Sequence, residues 1–279
     1  MQDLNTLIQL LTKARSIHVC VLDLSGILNT PLTDLPWEKR IHSKDFCSVA
    51  KSTAKGSRLC FYCKALANQK AIEEKRPFCG MCPWGLLEVA VPVVRNDVTV
   101  AIVYVGHFVS DPNVARMRIR RACSYTGVDE KALLTELTHC EVTDDPSEAF
   151  SMAKLVRDYL LMLSEQSQKS PSTTHWLVTS MKQYAKHASF SPLSLKELSR
   201  IYHKNEKYLG RLFKSETGQT FHEYCNGLRL KKAEKLLTHT SERVINVALE
   251  CGFNNVSYFN RVFHQKHGMT PTEYRAKHA

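Results

Sequence analysis

The spacing of hydrophobic and polar residues divides the first half of the chain between strands and helices. Stretches rich in β-branched residues at 17–24, 86–94 and 98–109 predict strands, and Arg95-Asn-Asp97 predicts a hairpin turn between the last two. The pattern predicts an α+β domain in which helices flank a small sheet. Apolar residues at three- and four-residue steps predict helices in the segments 1–15, 56–76, 112–125, 129–138 and 146–165.

The hydrophobic periodicity stops at a polar segment that separates two domains. Residues 168–174 are Gln, Lys, Ser, Pro, Ser, Thr and Thr, a composition typical of a linker. A length of 279 residues is also more natural for two domains than for one. We therefore expect a first domain at 1–165, a linker at 166–175 and a second domain at 176–279.

The second domain contains an internal repeat with an offset of fifty residues, a type of pattern that marks a duplicated structural unit. The residues that are identical at this offset are Asn205 and Asn255, Tyr208 and Tyr258, Arg211 and Arg261, Phe213 and Phe263, Gly218 and Gly268, Thr220 and Thr270, Glu223 and Glu273, and Tyr224 and Tyr274.

Each copy has the spacing of a helix-turn-helix motif, which we place at 195–216 and at 244–267. A short amphipathic helix precedes a turn, and the second helix begins after an asparagine and ends at a glycine. A helix of this kind fits the major groove of DNA, so the two copies can contact half-sites about 34 Å apart. The alternative is an all-helical domain whose core packing is simply duplicated.

The distribution of charge favours a polyanionic partner for the second domain. Residues 176–279 contain 17 Lys and Arg against 8 Asp and Glu, so this domain carries most of the net charge of +11. The chain has no apolar stretch of about eighteen residues and no signal peptide at its start. We therefore expect a cytoplasmic protein that does not contact membranes.

Three segments of the second copy resemble the AraC/XylS family of transcription regulators. They are Ala248-Leu-Glu-Cys-Gly-Phe253, Ser257-Tyr-Phe-Asn-Arg-Val-Phe263 and Gly268-Met-Thr-Pro-Thr-Glu-Tyr-Arg275. The resemblance covers about residues 176–277 and implies an all-α pair of helix-turn-helix motifs that binds double-stranded promoter DNA, with RNA polymerase as a further partner. The groove-facing residues that it implies are Glu206, Lys207, Gly210, Arg211, Val256, Ser257, Asn260 and Arg261.

These residue types suggest that the two helices contribute unequally to base recognition. Arg211, Ser257 and Asn260 can hydrogen-bond with base edges, and Val256 can contact a thymine methyl group. The resemblance implies a phosphate contact for Arg261. Gly210 offers no side chain, so we expect the first helix to contact fewer bases than the second.

Two Cys-x-x-Cys pairs in the first domain are separated by fifteen residues. The pairs are Cys60–Cys63 and Cys79–Cys82, and their spacing suits four thiolates around a tetrahedral zinc ion. Cys47 is an alternative ligand. The ten cysteines of a cytoplasmic chain are expected to be thiols rather than disulfides.

Spaced motifs in the first domain resemble the PocR type of sensory domain. The resemblance covers about residues 5–165 and implies a PAS-like fold that senses simple hydrocarbon derivatives such as small diols. It implies cysteines at the positions of Cys47, Cys60 and Cys82. Trp84 and Tyr104 are candidate ligand-binding residues, with core packing as the alternative. The motifs are Asp45-Phe-Cys47, Cys60, Cys82-Pro-Trp-Gly-Leu86, Val89-Ala-Val-Pro-Val93 and Val105-Gly-His-Phe108.

Four interpretations of the cysteines stay open at this point. They can bind zinc, line a core or pocket as small apolar side chains, or act as a redox switch that basic neighbours such as Arg58 and Lys64 would favour. They can also accept methyl groups, as in an Ada-type DNA repair regulator, although the methyltransferase motif Pro-Cys-His-Arg does not occur. His18, His42 and His107 are further metal-ligand candidates, with a structural role as the alternative.

These observations together predict a ligand- or metal-responsive transcription regulator rather than an enzyme. The sequence shows no pairing of a nucleophile with a base and no glycine-rich phosphate loop. Its expected cofactors are zinc and an unidentified small-molecule effector. The helix predicted at 146–165 can pack on its own domain or form a homodimer with a second subunit.

Overall fold

The computed structural model describes residues 2–42, 45–166, 175–187 and 194–278. It divides into one unit of residues 1–177 with 200–203 and another of residues 178–199 with 204–279. The predicted linker at 166–175 lies almost entirely outside the described residues.

A five-stranded sheet forms the centre of the first unit. The strands lie in the order β1-β4-β3-β2 with antiparallel pairing, and β5 pairs in parallel with the end of β4. A small sheet with several helices is the predicted α+β class, and the PAS-like topology stays a prediction. The strands are β1 (His18–Asp23), β2 (Phe78–Met81), β3 (Leu87–Arg95), β4 (Val98–Val109) and β5 (Glu141–Val142).

The turn between β3 and β4 confirms the predicted hairpin. Asn96 and Asp97 have φ angles of 49° and 60°, in the left-handed region that Asn and Asp tolerate better than most residues. Two successive residues in this region match the right-handed twist of the flanking strands. Arg95 and Val98 therefore pair directly across the turn.

One face of the sheet is apolar and packs against two helices, α1 (Leu4–Leu11) and α6 (Ser147–Gln166). Successive strand residues point to opposite faces, so alternate valines of β1, β3 and β4 share this core. Helix α6 covers it with small and branched side chains at three- and four-residue steps. The helix predicted at 146–165 therefore packs within its own domain. The buried residues of α6 are Ala149, Ala153, Val156, Leu160 and Leu163.

Four further helices complete the first unit, together with a 3₁₀ turn at Trp37–Lys39. Phe46, Trp84 and Ile119 are buried in a second apolar core, to which several of these helices contribute. Helix α2 and strands β2 and β5 were not predicted, because each is too short to show a clear period. The helices are α2 (Asp45–Ala50), α3 (Ala54–Glu74), α4 (Pro112–Thr126) and α5 (Glu130–Leu137).

Residues 175–187 and 194–278 contain helices and no strand, which agrees with the predicted all-α domain. Both predicted segments, 195–216 and 244–267, contain two helices separated by a short turn. Helices α7 and α13 were not predicted. The helices are α7 (Trp176–His187), α8 (Leu195–Tyr202), α9 (Glu206–Thr217), α10 (Phe221–His239), α11 (Val244–Glu250), α12 (Val256–His267) and α13 (Pro271–His278).

The repeat appears in the structure as matching helix starts. The Oδ1 atom of Asn205 accepts hydrogen bonds from the backbone N–H groups of Lys207 and Tyr208, at 2.9 and 3.3 Å. At the same offset, Asn255 accepts from the N–H of Tyr258 at 2.9 Å. These bonds satisfy amides that have no partner inside the first turn of a helix.

The helix ends and core contacts also repeat. Gly218 and Gly268 end α9 and α12 in the left-handed conformation, with φ angles of 73° and 70°. Phe213 and Phe263 are completely buried. Each packs against the tyrosine eleven residues further on, with ring centroids 5.5 and 5.3 Å apart.

Candidate ligand site and nucleic-acid interface

The second face of the sheet, toward which α3 packs, carries polar residues. His18 of β1, Gly106 of β4 and Glu88 of β3 are directly paired across three neighbouring strands. In the next row on the same face, Cys20 pairs with Tyr104. We call His18, Cys20, His42, Cys47, Lys64, Glu88, Tyr104 and His107 the polar cluster.

Gly106 makes room for Glu88 within the polar cluster. A Cβ atom added at Gly106 would lie 2.9 Å from Cβ and Cγ of Glu88 and 3.1 Å from its Cα. Such distances are shorter than normal van der Waals contacts, and part of the conflict is with backbone. A glycine is therefore needed at the centre of the row if the Glu88 side chain is to extend across β4.

A β-bulge brings His107 into the polar cluster. Leu87 pairs with Phe108 and Glu88 pairs with Gly106, so His107 is the extra residue of β4. Its φ angle of 73° lies in the left-handed region, which is uncommon for residues other than glycine. The ring is buried, and its Nε2 atom lies 3.0 Å from Sγ of Cys47.

Three imidazole rings converge at this point. The ring centroid of His107 lies 5.2 Å from that of His18 and 6.1 Å from that of His42. The His18 and His42 centroids are 5.9 Å apart. The three histidines come from β1, β4 and the loop that precedes α2, so only the folded chain brings them together.

Glu88 contacts the two basic side chains His42 and Lys64 of the cluster. Its Oε1 atom lies 2.7 Å from Nε2 of His42, and its Oε2 atom accepts a hydrogen bond from Nζ of Lys64 at 3.0 Å. Burial would raise the pKa of Glu88, but the combined effect of His42 and Lys64 outweighs burial and holds this pKa well below its usual range. Burial lowers the pKa of His42 and thereby favours its neutral form.

Tyr104, one of the two predicted ligand-binding residues, lies in the polar cluster. Its hydroxyl donates a hydrogen bond to Oδ1 of Asn68 at 2.6 Å, and Nζ of Lys64 lies 3.0 Å from its ring centroid. Trp84, the other one, belongs to the second apolar core instead, and its indole N–H donates to Sγ of Cys60 at 3.2 Å. The two residues therefore have different contact partners.

The structure does not assemble the four cysteines that the spacing predicts as zinc ligands. Cys60 and Cys82 pack against the second apolar core, while Cys79 lies exposed on β2, where it pairs with Val89. Among the described residues, the groups of three metal-binding side chains with donor atoms within 4.8 Å include none of Cys60, Cys63, Cys79 and Cys82. Strand β2, which the sequence pattern does not predict, places Cys79 at the edge of the sheet. Zinc on this set stays an untested prediction.

Burial weakens the acidity of these thiols. It raises the pKa of Cys47 to about 12 and also raises the pKa values of Cys60, Cys63, Cys79 and Cys82. A thiolate is the nucleophilic form of cysteine, so thiols with raised pKa values are poorly reactive at neutral pH.

The structure places the predicted DNA-contacting side chains at the beginnings of α9 and α12. In α9, Glu206, Lys207 and Arg211 are exposed. Gly210 is half-buried, and a Cβ atom there would lie 3.2 Å from Cδ1 of Leu195 in α8. Gly210 therefore lies where the two helices of the pair approach each other closely.

In α12, Ser257, Asn260 and Arg261 are exposed, and Val256 is half-buried. The guanidinium carbon of Arg261 lies 5.2 Å from the ring centroid of Tyr258, close enough for a cation–π interaction. Tyr258 is itself held by the side-chain amide of Asn226, which donates to its hydroxyl at 2.7 Å. Arg261 thus lies beside a tyrosine of the first turn of α12, and its phosphate contact stays a prediction.

Comparison with known families identifies both domains. Residues 1–168, more than half of the chain, match the family described as the sensory domain found in PocR. Residues 198–277 match a helix-turn-helix domain family. The chain is an AraC-type helix-turn-helix protein with a PocR sensory domain. Both resemblances that the sequence motifs indicate are therefore confirmed.

Two relatives are named as regulators of transcription. The uncharacterized HTH-type transcriptional regulator YfiF of Bacillus subtilis is 30% identical over 148 residues, which cover 53% of this chain and 44% of YfiF. The HTH-type transcriptional activator RhaR of Mannheimia succiniciproducens is 45% identical over 67 residues, or 24% of each chain. This chain spans less than half the length of these two relatives. The expectation that it is not an enzyme agrees with their names.

One solved structure is similar to part of this chain. The C-terminal domain of AraT, a response regulator from Geobacillus stearothermophilus, is 29% identical and has a TM-score of 0.36. The match covers 38% of this chain and 88% of that domain. Among the described residues, no helix is long and apolar enough to cross a membrane.

The sequence alone does not reveal the centre of the polar cluster. The sequence pattern indicates Lys64 only as a basic neighbour of cysteines, and it indicates no role for Glu88 or Asn68. Two sequence features point to the polar cluster. Gly106 and His107 interrupt one apolar strand, and Glu88 lies near the start of another apolar strand. All three are polar or small residues in strands that are otherwise rich in valine.

Proposed function

We propose that the protein is a sequence-specific DNA-binding regulator of transcription with two helix-turn-helix motifs. Helices α9 and α12 are the recognition helices of these motifs. The observation that carries the proposal is that both helices begin at an asparagine cap and expose polar side chains from their first turns. Helices that enter the major groove contact bases with their N-terminal residues.

Charge and family membership support the same function. Residues 176–279 carry most of the net positive charge of the chain, as expected of a domain that neutralises phosphates. The match to a helix-turn-helix family covers both helix pairs from Leu198 onward. Promoter DNA in the cytoplasm is the expected partner, with RNA polymerase as the machinery that the bound protein would influence.

The sensory domain is the part that would respond to an effector, and the polar cluster is its best binding site. The cluster combines hydrogen-bond donors and acceptors with the ring of Tyr104 in an otherwise apolar sheet, a composition typical of small-molecule sites. Small polar hydrocarbon derivatives such as diols, which the PocR resemblance implies, carry hydroxyl groups that can exchange hydrogen bonds with Glu88 and Lys64.

Two alternatives from the sequence are less well supported by the geometry. A redox switch and an Ada-like methyl acceptor both need a reactive thiolate. Burial raises the pKa values of Cys60, Cys63, Cys79 and Cys82, so their thiols are mainly protonated at neutral pH. A homodimer through the sensory domain would need a surface other than the buried face of α6, because this face packs on the sheet of its own domain.

Substitution of Asn260 tests whether α12 recognises bases. The full chain would first be used to select a preferred site from random duplexes. Replacing Asn260 with alanine should weaken binding to this site by about 1–3 kcal/mol and leave binding to a scrambled duplex almost unchanged. Fluorescence anisotropy with both duplexes measures the two affinities. The matched control is Gln265→Ala, which removes another exposed amide from α12 more than one turn further along.

Equal losses on the selected and scrambled duplexes for Asn260→Ala would contradict base recognition by this residue. An equally large and selective loss for Gln265→Ala would show that α12 enters the groove in another orientation. Either result would remove the assignment of these side chains while leaving DNA binding itself measurable.

Substitution of Lys207 tests whether α9 also contacts the phosphate backbone. Lys207→Ala should weaken binding to both duplexes by a similar factor, because a phosphate contact carries no sequence information. The slope of the logarithm of affinity against the logarithm of salt concentration should decrease in magnitude by about 1. Lys277→Ala in α13 is the charge-matched control. A loss confined to the selected duplex would instead assign Lys207 to base recognition.

A further inference from the structure

Among the described residues, the polar cluster contains two overlapping groups of three metal-binding side chains: His42, Cys47 and His107, and Cys20, His42 and Glu88. Donor atoms of His42, Cys47 and His107 all lie within 4.8 Å of one another. Sγ of Cys47 lies 3.0 Å from Nε2 of His107. His42 precedes α2, Cys47 lies in α2 and His107 lies in β4, so the fold assembles the group from separate segments.

The chemistry of this group suits a transition metal. A thiolate and two neutral imidazoles are ligands that Zn²⁺ takes at about 2.0–2.3 Å, a range that small movements of these side chains can reach. Carboxylate-rich sites would favour Mg²⁺ or Ca²⁺ instead. Three protein ligands leave the fourth tetrahedral position open for water or a small molecule, as in zinc sites that act on ligands rather than only stabilise a fold.

Neighbouring residues provide the support that metal ligands usually have. Histidine ligands commonly hydrogen-bond with a carboxylate through the ring nitrogen that does not bind the metal. Oε1 of Glu88 lies 2.7 Å from Nε2 of His42 and can hold the ring in this way. Oε2 of Glu88 accepts a hydrogen bond from Nζ of Lys64, and this Nζ also lies 2.7 Å from Nε2 of His42.

The backbone around His107 is shaped for this placement. A φ angle of 73° is uncommon for a residue other than glycine, and such conformations persist where the surrounding structure requires them. The β-bulge turns the ring toward Cys47, and Gly106 leaves space for the Glu88 side chain beside it. β-Bulges that redirect a side chain in this way are over-represented next to active sites.

We infer that His42, Cys47 and His107 bind a divalent transition metal ion, preferentially Zn²⁺, with Glu88 as the residue that orients His42. The metal would replace the proton of the Cys47 thiol and leave one coordination position for an exogenous ligand. The inference deepens the sensory role under the proposed function, because a ligand at this position would be the small-molecule effector.

The first test is the metal content of the full chain. Protein loaded with Zn²⁺ and then desalted should retain about one zinc per chain by elemental mass spectrometry. Cys47→Ala and His107→Asn should each weaken zinc binding at least about 100-fold, since loss of a ligand should exceed the 10–100-fold effect of losing a supporting residue. Asparagine is chosen at position 107 because it tolerates the left-handed conformation.

The matched control is the double variant Cys63→Ser and Cys79→Ser. It removes half of the four-cysteine set predicted from the spacing and leaves the proposed ligands intact, so it should retain zinc with unchanged affinity. Loss of zinc in this double variant would assign the metal to the four-cysteine set and overturn the inference. A wild-type chain without zinc, or a Cys47→Ala chain with wild-type affinity, would also overturn it.

A second measurement avoids any substitution that prevents folding. Co²⁺ bound by the wild-type chain should show the absorption bands of a tetrahedral ion. It should also show a thiolate-to-metal charge-transfer band whose intensity corresponds to one thiolate ligand. A band with the intensity of four thiolates would contradict the proposed site. DNA binding is measured separately on the same preparations, so a metal-free chain that binds DNA would overturn only this inference and leave the proposed function intact.

Discussion

The eight residues proposed to contact DNA lie in the first two turns of α9 and α12 at matching positions of a repeat, and six of them are exposed. The polar cluster of the sensory domain instead combines buried or half-buried residues from β1, β3, β4, α2, α3 and a loop. This difference determines what each region tolerates. An exposed side chain can be exchanged at little cost to folding, whereas each charged member of the cluster depends on its neighbours for solvation.

The largest expected effect is the loss of the carboxylate at the centre of the cluster. Glu88→Gln leaves the partly buried ammonium group of Lys64 without its counter-charge, and removal of one member of a buried ion pair costs about 3 kcal/mol or more. The urea transition of the sensory domain, followed by tryptophan fluorescence, measures the change in free energy of unfolding. Trp37 and Trp84 both report on this domain.

Two comparisons make this prediction specific to the ion pair. Glu74→Gln removes an exposed carboxylate of α3 and should change stability by less than about 0.5 kcal/mol. The double variant Glu88→Gln and Lys64→Met should recover much of the loss, because no unpaired charge then stays in the cluster. Additive effects of the two substitutions would show that the pair is not coupled.

The next largest effect is on the free energy of unfolding when one glycine of each domain is replaced by alanine. Gly106→Ala should destabilise the sensory domain by about 1–3 kcal/mol, because the new methyl group would overlap with Glu88. Gly227→Ala in α10 should stabilise the second domain by about 0.5–1 kcal/mol, because nothing lies within 4 Å of the added Cβ atom and alanine favours helix. Urea transitions of both variants measure the changes. If both substitutions stabilised or both destabilised their domains, the crowded environment of Gly106 or the open environment of Gly227 would be contradicted.

The smallest expected effect concerns the two asparagine caps. Asn205→Ala and Asn255→Ala should each cost about 1 kcal/mol of local stability, because the helix loses a hydrogen-bond acceptor for its first amides. Hydrogen exchange of the backbone amides of Tyr208 and Tyr258 measures these losses separately. Each variant is the control for the other, and faster exchange in both helices from one substitution would show that the repeats are not independent.

The sequence predicts the second domain more completely than the first, for a physical reason. A repeat, its caps and its terminal glycines are local features, so the starts of α9 and α12 follow from residues such as Asn205 and Asn255 themselves. The apolar period similarly predicts the helix at 146–165, which the structure places at Ser147–Gln166. In both cases the sequence neighbours of a residue determine its conformation.

The polar cluster could not be predicted because its contacts join residues that are distant in sequence. The spacing of Cys60, Cys63, Cys79 and Cys82 suggests a site, but strand β2 places Cys79 at the exposed edge of the sheet. The partnership of Lys64 with Glu88 depends on how α3 lies over β3 and on the bulge in β4. Such tertiary contacts have no local pattern.

Selection of binding sites from random DNA duplexes by the full chain tests the central claim most directly. Two recognition helices should enrich a sequence with two half-sites about one helical turn, or roughly 10–11 base pairs, apart. The half-site that loses discrimination in Asn260→Ala would then belong to α12. Selection that enriches no sequence over random duplexes would contradict sequence-specific regulation by this protein.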